Sequence, residues 1–358
     1  MLLQTLTLKN FRLYTDRQFK FCPKINVICG PNACGKTTVL EAIHLLMTGR
    51  SFRTGQLRDM IREGAPFFAV EATFLKQGIE QSLTFFYDGN ERKILYHHTP
   101  CRSLAGLLGI MQGVAMFPED VALIKGAPSV RRRYLDMQLA QANPLYVHHL
   151  ARYHRAMRQR NHLLRKKDLR TIETWEQEMA KAAVYLITQR RQAVEDLQVL
   201  SQQTLHKLSD SKEQLSLVYQ TIPKKHQESI FSYYCEQYKT MRQREVHIGY
   251  TLGGPHRDDM RILLENKEAK YFASEGQQGS CVAALRLAEW ERLSKLAEDS
   301  PLMFVDDIGI HFDQTRRAYL MSLLGSLQQV VLTTTEEPKT MIEPSLHTIH
   351  LRSYGQSG

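Results

Sequence analysis

The sequence predicts an α/β protein whose parallel sheet is assembled from both ends of the chain, beside an antiparallel β-layer and around a helical middle. Three observations carry that prediction. A glycine-rich loop, Gly30 to Thr37, sits between an apolar strand and a run with helical spacing. Strand signals fade from about Ser129 to Gln243. Short apolar runs, as found in strands buried on both faces, return near the C-terminus.

Leu2, Leu6 and Leu8 punctuate a first strand, and Ile25 to Cys29 form a second that runs into Gly30. Val39, Ile43, Leu46 and Met47 then recur at helical spacing up to Gly49. Phe67 to Leu75, Ser82 to Tyr87 and Lys93 to His97 are rich in aromatic and β-branched residues, with an Asp88-Gly89-Asn90 turn, and read as the antiparallel layer. Residues 1–128 are thus expected to form the first part of a head domain, and 129–243 a helical insertion broken only by Pro144 and Pro223. The head resumes over 244–358, with strands expected at Val246 to Tyr250 and Arg261 to Leu264 and a helix from about Gln278 to Leu296. Leu302 to Val305 and Val330 to Leu332 are expected as buried strands.

A chain of 358 residues buries one large core or two modest ones without disulfide or metal staples. The six cysteines, Cys22, Cys29, Cys34, Cys101, Cys235 and Cys281, show no C-x-x-C pairing, which disfavours a disulfide framework or a zinc ribbon. The N-terminus alternates apolar and polar residues as a strand does, and no apolar run approaches the roughly 20 residues that cross a bilayer. A soluble, cytoplasmic protein is expected. The net charge of +10 points to a polyanionic partner, since clustered Lys and Arg displace counterions from nucleic acid.

Gly30-Pro31-Asn32-Ala33-Cys34-Gly35-Lys36-Thr37 matches the phosphate-binding loop G-x-x-x-x-G-K-[ST], with Thr38 following. Its glycines let successive N–H groups curl around phosphates, Lys36 reaches the β and γ phosphates, and the Thr37 hydroxyl is a ligand for Mg²⁺. ATP and Mg²⁺ are the expected cofactors. A Mg²⁺-nucleotide site also needs a carboxylate at a strand end, and Leu302-Met303-Phe304-Val305 is followed by Asp306 and Asp307. Asp306 is the candidate for orienting Mg²⁺. Asp307 falls where related ATPases place a catalytic base, usually the longer Glu. Ser274-Glu275-Gly276-Gln277-Gln278 precedes a helix and collects a hydroxyl and fresh N–H donors at a positive helix end; a plain N-cap explains the same string.

Several strings then occur in a fixed order: Leu8-Lys9-Asn10-Phe11-Arg12, the phosphate loop, Phe117-Pro118-Glu119-Asp120, Arg132-Arg133-Tyr134-Leu135-Asp136, Gln159-Arg160-Asn161, Gly254-Pro255-His256-Arg257-Asp258-Asp259, Ser274 to Gln278, and Asp306-Asp307. In this order they resemble the RecF family of bacterial DNA replication and repair proteins, related to the heads of the SMC and Rad50 ATPases, over nearly the whole chain. The resemblance implies an ABC-type head. It implies a homodimer with two ATP molecules between subunits, Lys36 of each facing Ser274, Gly276 and Gln277 of the other. It further implies preference for single-stranded and gapped DNA, recombinase loading with the RecR and RecO proteins, and a part in the SOS response. Two departures stand out. Gly279-Ser280 replaces the family's Arg-Thr, removing any contact from that arginine, and Ile310-His311-Phe312-Asp313 replaces a Ser-Glu-Leu-Asp D-loop. Thr333-Thr334-Thr335 fits the family, and no glutamine switch loop is evident.

Basic residues crowd the stretch from Arg131 to Arg170. Arg131, Arg132, Arg152, Arg155 and Arg158 are the candidate DNA contacts, the last three at three-residue spacing on one helix; a solvated face, or pairing with Glu173, Glu176 and Glu178, is the bland alternative. His148, His149, His154 and His162 lack a carboxylate or cysteine at metal-ligand spacing. Two competing functions are a transporter-type ATPase subunit, disfavoured by the long separation of Lys36 from Asp306, and a nucleotide-gated scaffold that does not hydrolyse.

Overall fold

The computed structural model describes residues 1–209, 213–222, 230–297, 299–307, 312–335 and 346–352. From the N-terminus it runs β1 (Leu2–Phe11), β2 (Tyr14–Lys20), β3 (Lys24–Cys29), α1 (Lys36–Thr48), β4 (Phe68–Lys76), β5 (Ile79–Tyr87), β6 (Arg92–Tyr96), β7 (Thr99–Pro100) and β8 (Gly113–Met116). Then follow α2 (Ala122–Lys125), α3 (Pro128–Ala142), α4 (Pro144–Lys166), α5 (Ile172–Leu208), β9 (Leu215–Gln220), α6 (Ile230–Ile248), β10 (Asp259–Leu264), β11 (Lys267–Glu268) and α7 (Ala269–Phe272). The chain ends with α8 (Glu275–Leu296), β12 (Leu302–Val305), α9 (Gln314–Gly325), β13 (Gln329–Thr334) and β14 (His347–His350).

Two compact units result, the first built from the chain up to Val121, the end of α5 after Gln202, and everything from Ser274 onward. It contains a parallel sheet in the order β14-β3-β13-β12-β8 and an antiparallel sheet in the order β2-β1-β4-β5-β6-β7. Val27, Ile28, Val330, Leu332, Phe304 and Val305 are buried, as the continuous apolar runs require of a sheet covered on both faces. In β1, Leu6 and Leu8 are buried opposite Ala72 and Val70 of β4, the inward half of a period-2 pattern. The two sheets and α1 share one core, in which Leu40, Ile43 and Leu46 face Phe11, Phe68 and Phe85.

The parallel register sets the geometry of everything that follows. Val305 pairs with Leu332 and with Met116, while Thr334 pairs with Cys29. β12 and β8 therefore end together, two residues short of the ends of β13 and β3, and all four carboxyl ends lie on one edge of the sheet, where α/β sheets collect their ligands.

The second unit comprises Ala122–Gln202 and Glu213–Ala273. Its core packs Tyr146, Tyr153, Ala183, Ile187, Tyr234 and Tyr238 from α4, α5 and α6. Arg160 is fully buried there, bonded to Glu176 at 2.9 Å and Glu245 at 2.6 Å, with the Thr251 hydroxyl 2.9 Å away. A buried guanidinium is tolerated only with its charge and donors matched, as they are here. This explains the Gln159-Arg160-Asn161 string, whose Asn161 accepts from Thr251 N.

Three expectations change. Val246 to Tyr250 is not a strand: α6 continues to Ile248 and stops where Gly249, at φ 83°, donates to the Glu245 carbonyl. The alternation of Val246, Ile248 and Tyr250 imitated a strand, but the buried set Tyr234, Tyr238 and Glu245 has helical spacing. The middle is not wholly helical, because β9 lies in it and pairs with β10. That pairing draws β10, β11 and α7 into the second unit, so the head resumes at Ser274 rather than 244. Pro223, Ile310 and His311 lie outside the described residues.

Candidate nucleotide site and basic face

The loop from Gly30 to Thr37 leaves β3 at that edge and turns directly into α1. Pro31, Asn32 and Ala33 form its exposed crest, while Cys34, Gly35 and Lys36 are buried. Ala33 at φ 63° and Gly35 at φ 101° take the left-handed conformations that curl the chain. Gly35 is required twice over, since a Cβ there would also meet the Tyr14 hydroxyl at 2.6 Å. At Gly30 a Cβ would strike the Leu351 carbonyl at 2.4 Å. Lys36 Nζ donates back to the Gly30 and Pro31 carbonyls at 2.7 and 2.9 Å, which holds its ammonium inside the curl. Thr38 N and Val39 N close the first turn of α1 onto the Gly35 carbonyl at 3.1 and 3.3 Å, so the positive end of the helix begins at the loop.

Three stretches of sequence converge on Asp306 at the end of β12. Its Oδ1 accepts from Thr37 Oγ1 at 3.2 Å and from Thr333 Oγ1 at 2.6 Å, and its N–H donates to the Met116 carbonyl at 2.9 Å. Burial raises its pKa, opposed by the two hydroxyl donors and reinforced by the nearby charges of Asp307 and Glu119. Such a carboxylate, with a threonine hydroxyl beside it, is suited to a hard cation that keeps most of its other ligands from water and phosphate. No group of three or more His, Cys, Asp or Glu capable of holding a metal occurs among the described residues. Asp307 sits at φ 50°, its N–H donating to Thr333 Oγ1 at 3.0 Å. Thr333 thus orients both acids, a role unreadable without the strand register.

Two further supports were invisible in the sequence. Glu41, wholly buried on α1, receives Arg12 in a two-pronged pair at 3.0 and 2.6 Å, and Ser51 Oγ at 2.5 Å, which anchors the helix that carries the loop. Asp120 caps the turn after β8 by accepting from Phe117 N at 2.9 Å, and takes both prongs of Arg286 from α8. Two of the family strings, around Arg12 and around Asp120, are therefore struts of the site.

Ser274 is the N-cap of α8 in a complete capping box: its Oγ accepts from Gln277 N at 3.3 Å, and Gln277 Oε1 accepts from Ser274 N at 2.8 Å. The N-cap explanation is thus realised. It leaves the segment exposed at Ser274 and Glu275 and presents a positive helix end.

The basic residues divide. Arg131 is buried, with both prongs on Asp259 at 2.7 and 2.8 Å and further bonds to the Leu123 and Gly126 carbonyls. This corrects the expectation that it contacts DNA: its donors are committed within the second unit. Arg132 is half-buried and donates to the Asp258 carbonyl at 2.7 Å. Arg152 pairs with Glu178 at 2.6 Å, as the bland reading foresaw for that residue. Arg155 and Arg158 are exposed on α4, as are Arg165, Lys166 and Lys167 at its end.

Asp306→Asn is predicted to raise the melting temperature of the nucleotide-free protein at pH 7 by about 2 °C or more, since an amide keeps both hydroxyl bonds and sheds a desolvated charge. The raised pKa means that the folded state holds this proton longer than the unfolded chain does. The charge therefore costs stability above the usual carboxyl value of 3.8, and the gain must vanish as the pH falls below it. A variant that melts lower at pH 7 contradicts this.

Comparison with known proteins agrees with this geometry. A family model described as an AAA domain matches residues 5–300. A DNA replication and repair protein RecF from Protochlamydia amoebophila (strain UWE25) is 49% identical over 339 residues, covering 94% of each chain. Another, from Halalkalibacterium halodurans, is 32% identical over the full length of both chains. A solved structure of the recombination mediator protein RecF-ATP in the RecFOR pathway superposes with a TM-score of 0.88 at 27% identity, covering 97% of this chain and 95% of its own. An Smc head domain from Pyrococcus furiosus, at 15% identity and a TM-score of 0.59, shares the fold. With a glycine-rich phosphate loop and a paired-acid strand end in one α/β ATPase head, and relatives matched over 94% of their length or more, the chain belongs to the RecF family of DNA replication and repair proteins.

Proposed function

We propose that this chain is an ATP-dependent DNA-binding protein of recombinational repair and replication restart, which closes as a homodimer on ATP and engages single-stranded or gapped DNA. The observation that carries the reading is the convergence of Lys36, Thr37, Asp306 and Thr333 at one end of one sheet. The loop, with Pro31, Asn32, Ala33 and Thr38 beside the glycines, cradles the phosphates, and Lys36 exchanges its carbonyl partners for them. Thr37 and Asp306 would hold Mg²⁺. When bound, that ion neutralises phosphate charge as it develops. Asp307, its backbone fixed by Thr333, is placed to orient a water for slow hydrolysis.

The exposed start of α8, at Ser274, Gly276 and Gln277, supplies the other wall from a second copy. ATP then favours the closed dimer because only the closed state offers its phosphates both sets of donors. Arg155 and Arg158 provide a phosphate-directed face on α4. The RecFOR pathway named for the solved relatives supports RecO and RecR as partners; recombinase loading and a link to the SOS response rest on the family resemblance alone.

Lys36→Ala is expected to abolish ATP-induced dimerisation in light scattering while retaining the wild-type melting curve; dimerisation that persists with ATP contradicts the site. Reversing Arg155 and Arg158 to Glu is expected to weaken DNA binding and to flatten the plot of log affinity against log salt by about two units. An unchanged slope removes that face from the interface.

A further inference from the structure

α8 and α9 of the first unit meet at the segment that is proposed to close the site. Ser280, fully buried on α8, donates to the Gly276 carbonyl at 3.0 Å and accepts from Arg316 Nη1 of α9 at 2.9 Å. The same nitrogen lies over Gly276, where a Cβ would stand 3.4 Å from it. The guanidinium therefore spans the first turn of α8, from Gly276 to Ser280. It is oriented from its own helix too: Asp313, the N-cap of α9, accepts from Arg316 N at 2.8 Å, and its other carboxylate oxygen lies 3.6 Å from Nε.

Helix stability does not account for this arrangement. A cation is favourable at a helix C-terminus and unfavourable at an N-terminus, where the macrodipole is positive. The start of α8 is already satisfied by its Ser274–Gln277 capping box. The guanidinium, held by Asp313, thus reaches the first turn of α8 without being needed to cap it. α9 is also the next helix after the strand that ends in Asp306 and Asp307, and Gly279 of α8 lines a small cavity of about 30 Å³ together with those two acids and Phe312. One element follows the paired acids in sequence and grips the signature turn in space.

We propose that Arg316 is a positioning residue for the composite site: through Ser280 it fixes the first turn of α8, and with it Ser274 and Gly276, in the orientation that meets nucleotide held by a second copy. This rests on the dimer reading above. The contacts of Arg316 given above are to Ser280 and Asp313, neither of which belongs to the phosphate loop or to the Thr37–Asp306 pair, so on this proposal its loss separates two quantities that a general structural defect moves together.

The experiment uses the full chain as wild type, Arg316→Ala, Arg316→Lys, Ser280→Ala and the Arg316→Ala/Ser280→Ala double variant. Three quantities are read: affinity for a fluorescent ATP analogue at a dilution where the protein is monomeric, ATP-dependent self-association by sedimentation, and thermal melting. Arg316→Ala should weaken ATP-dependent association by about tenfold, as befits a charge-assisted bond to a buried hydroxyl, with Arg316→Lys intermediate. Nucleotide affinity should stay within about twofold, melting should fall by no more than a few degrees, as loss of one intramolecular bond implies, and the double variant should associate no worse than Arg316→Ala because the two residues act as one unit. If wild type associates with ATP and Arg316→Ala associates equally well, the proposal fails and the dimer reading stands. A parallel loss of nucleotide affinity, or a larger fall in melting temperature, also overturns it, as a structural role. A wild type that does not associate with ATP defeats the dimer reading itself, and this inference with it.

Discussion

Everything at the candidate site depends on a single carboxylate oxygen shared between two hydroxyls. Asp306 Oδ1 accepts from Thr37 at the start of α1 and from Thr333 in β13, so residues from near the two ends of the chain are joined through an acid from a third element. That contact exists only if β3, β13, β12 and β8 lie parallel with their carboxyl ends on one edge, as the pairing of Thr334 with Cys29 and of Val305 with Leu332 and Met116 ensures. The sheet is the precondition, and the site follows from its register.

The surrounding struts make sense as support for that contact. Arg12 and Ser51 fix Glu41 on the helix that carries the loop, and Arg286 fixes Asp120 beside the strand that neighbours Asp306. The desolvation of Asp306, with Asp307 and Glu119 nearby, is a cost the fold bears and a bound cation would relieve, which is the pattern expected where stability yields to function. The second unit is organised differently. Its arginines Arg131 and Arg160 lie inside ion pairs, while Arg155 and Arg158 on α4 face solvent.

What the sequence disclosed was the part written in contiguous residues. The phosphate loop, the apolar strands flanking it, the Asp306-Asp307 strand end and the Ser274 segment are each specified within eight or so positions, because glycine conformation, strand burial and capping are local requirements. What stayed hidden depends on pairing between distant segments. Thr333 looked like one threonine of three until strand register placed it against Asp306. Arg131 looked like a free cation because Asp259 lies on another element. β8, a short Gly-Val-Ala-Met run, carries almost no intrinsic strand preference and is a strand because β12 lies beside it. The alternation at Val246 to Tyr250 misled for the converse reason: a local pattern was overridden by the tyrosine stripe of α6 that the second unit buries.

A site divided between two copies makes a demand that no single-chain site does. Mixing Lys36→Ala protein with Ser274→Arg protein creates heterodimers in which one site has lost both halves and the other keeps Lys36 from one chain and Ser274 from its partner. ATP turnover of an equimolar mixture, followed against each variant alone, tests this most directly. A composite site predicts turnover well above that of either variant, approaching the share expected from the heterodimer fraction. A mixture no more active than the two variants separately would contradict it and return the whole site to a single chain.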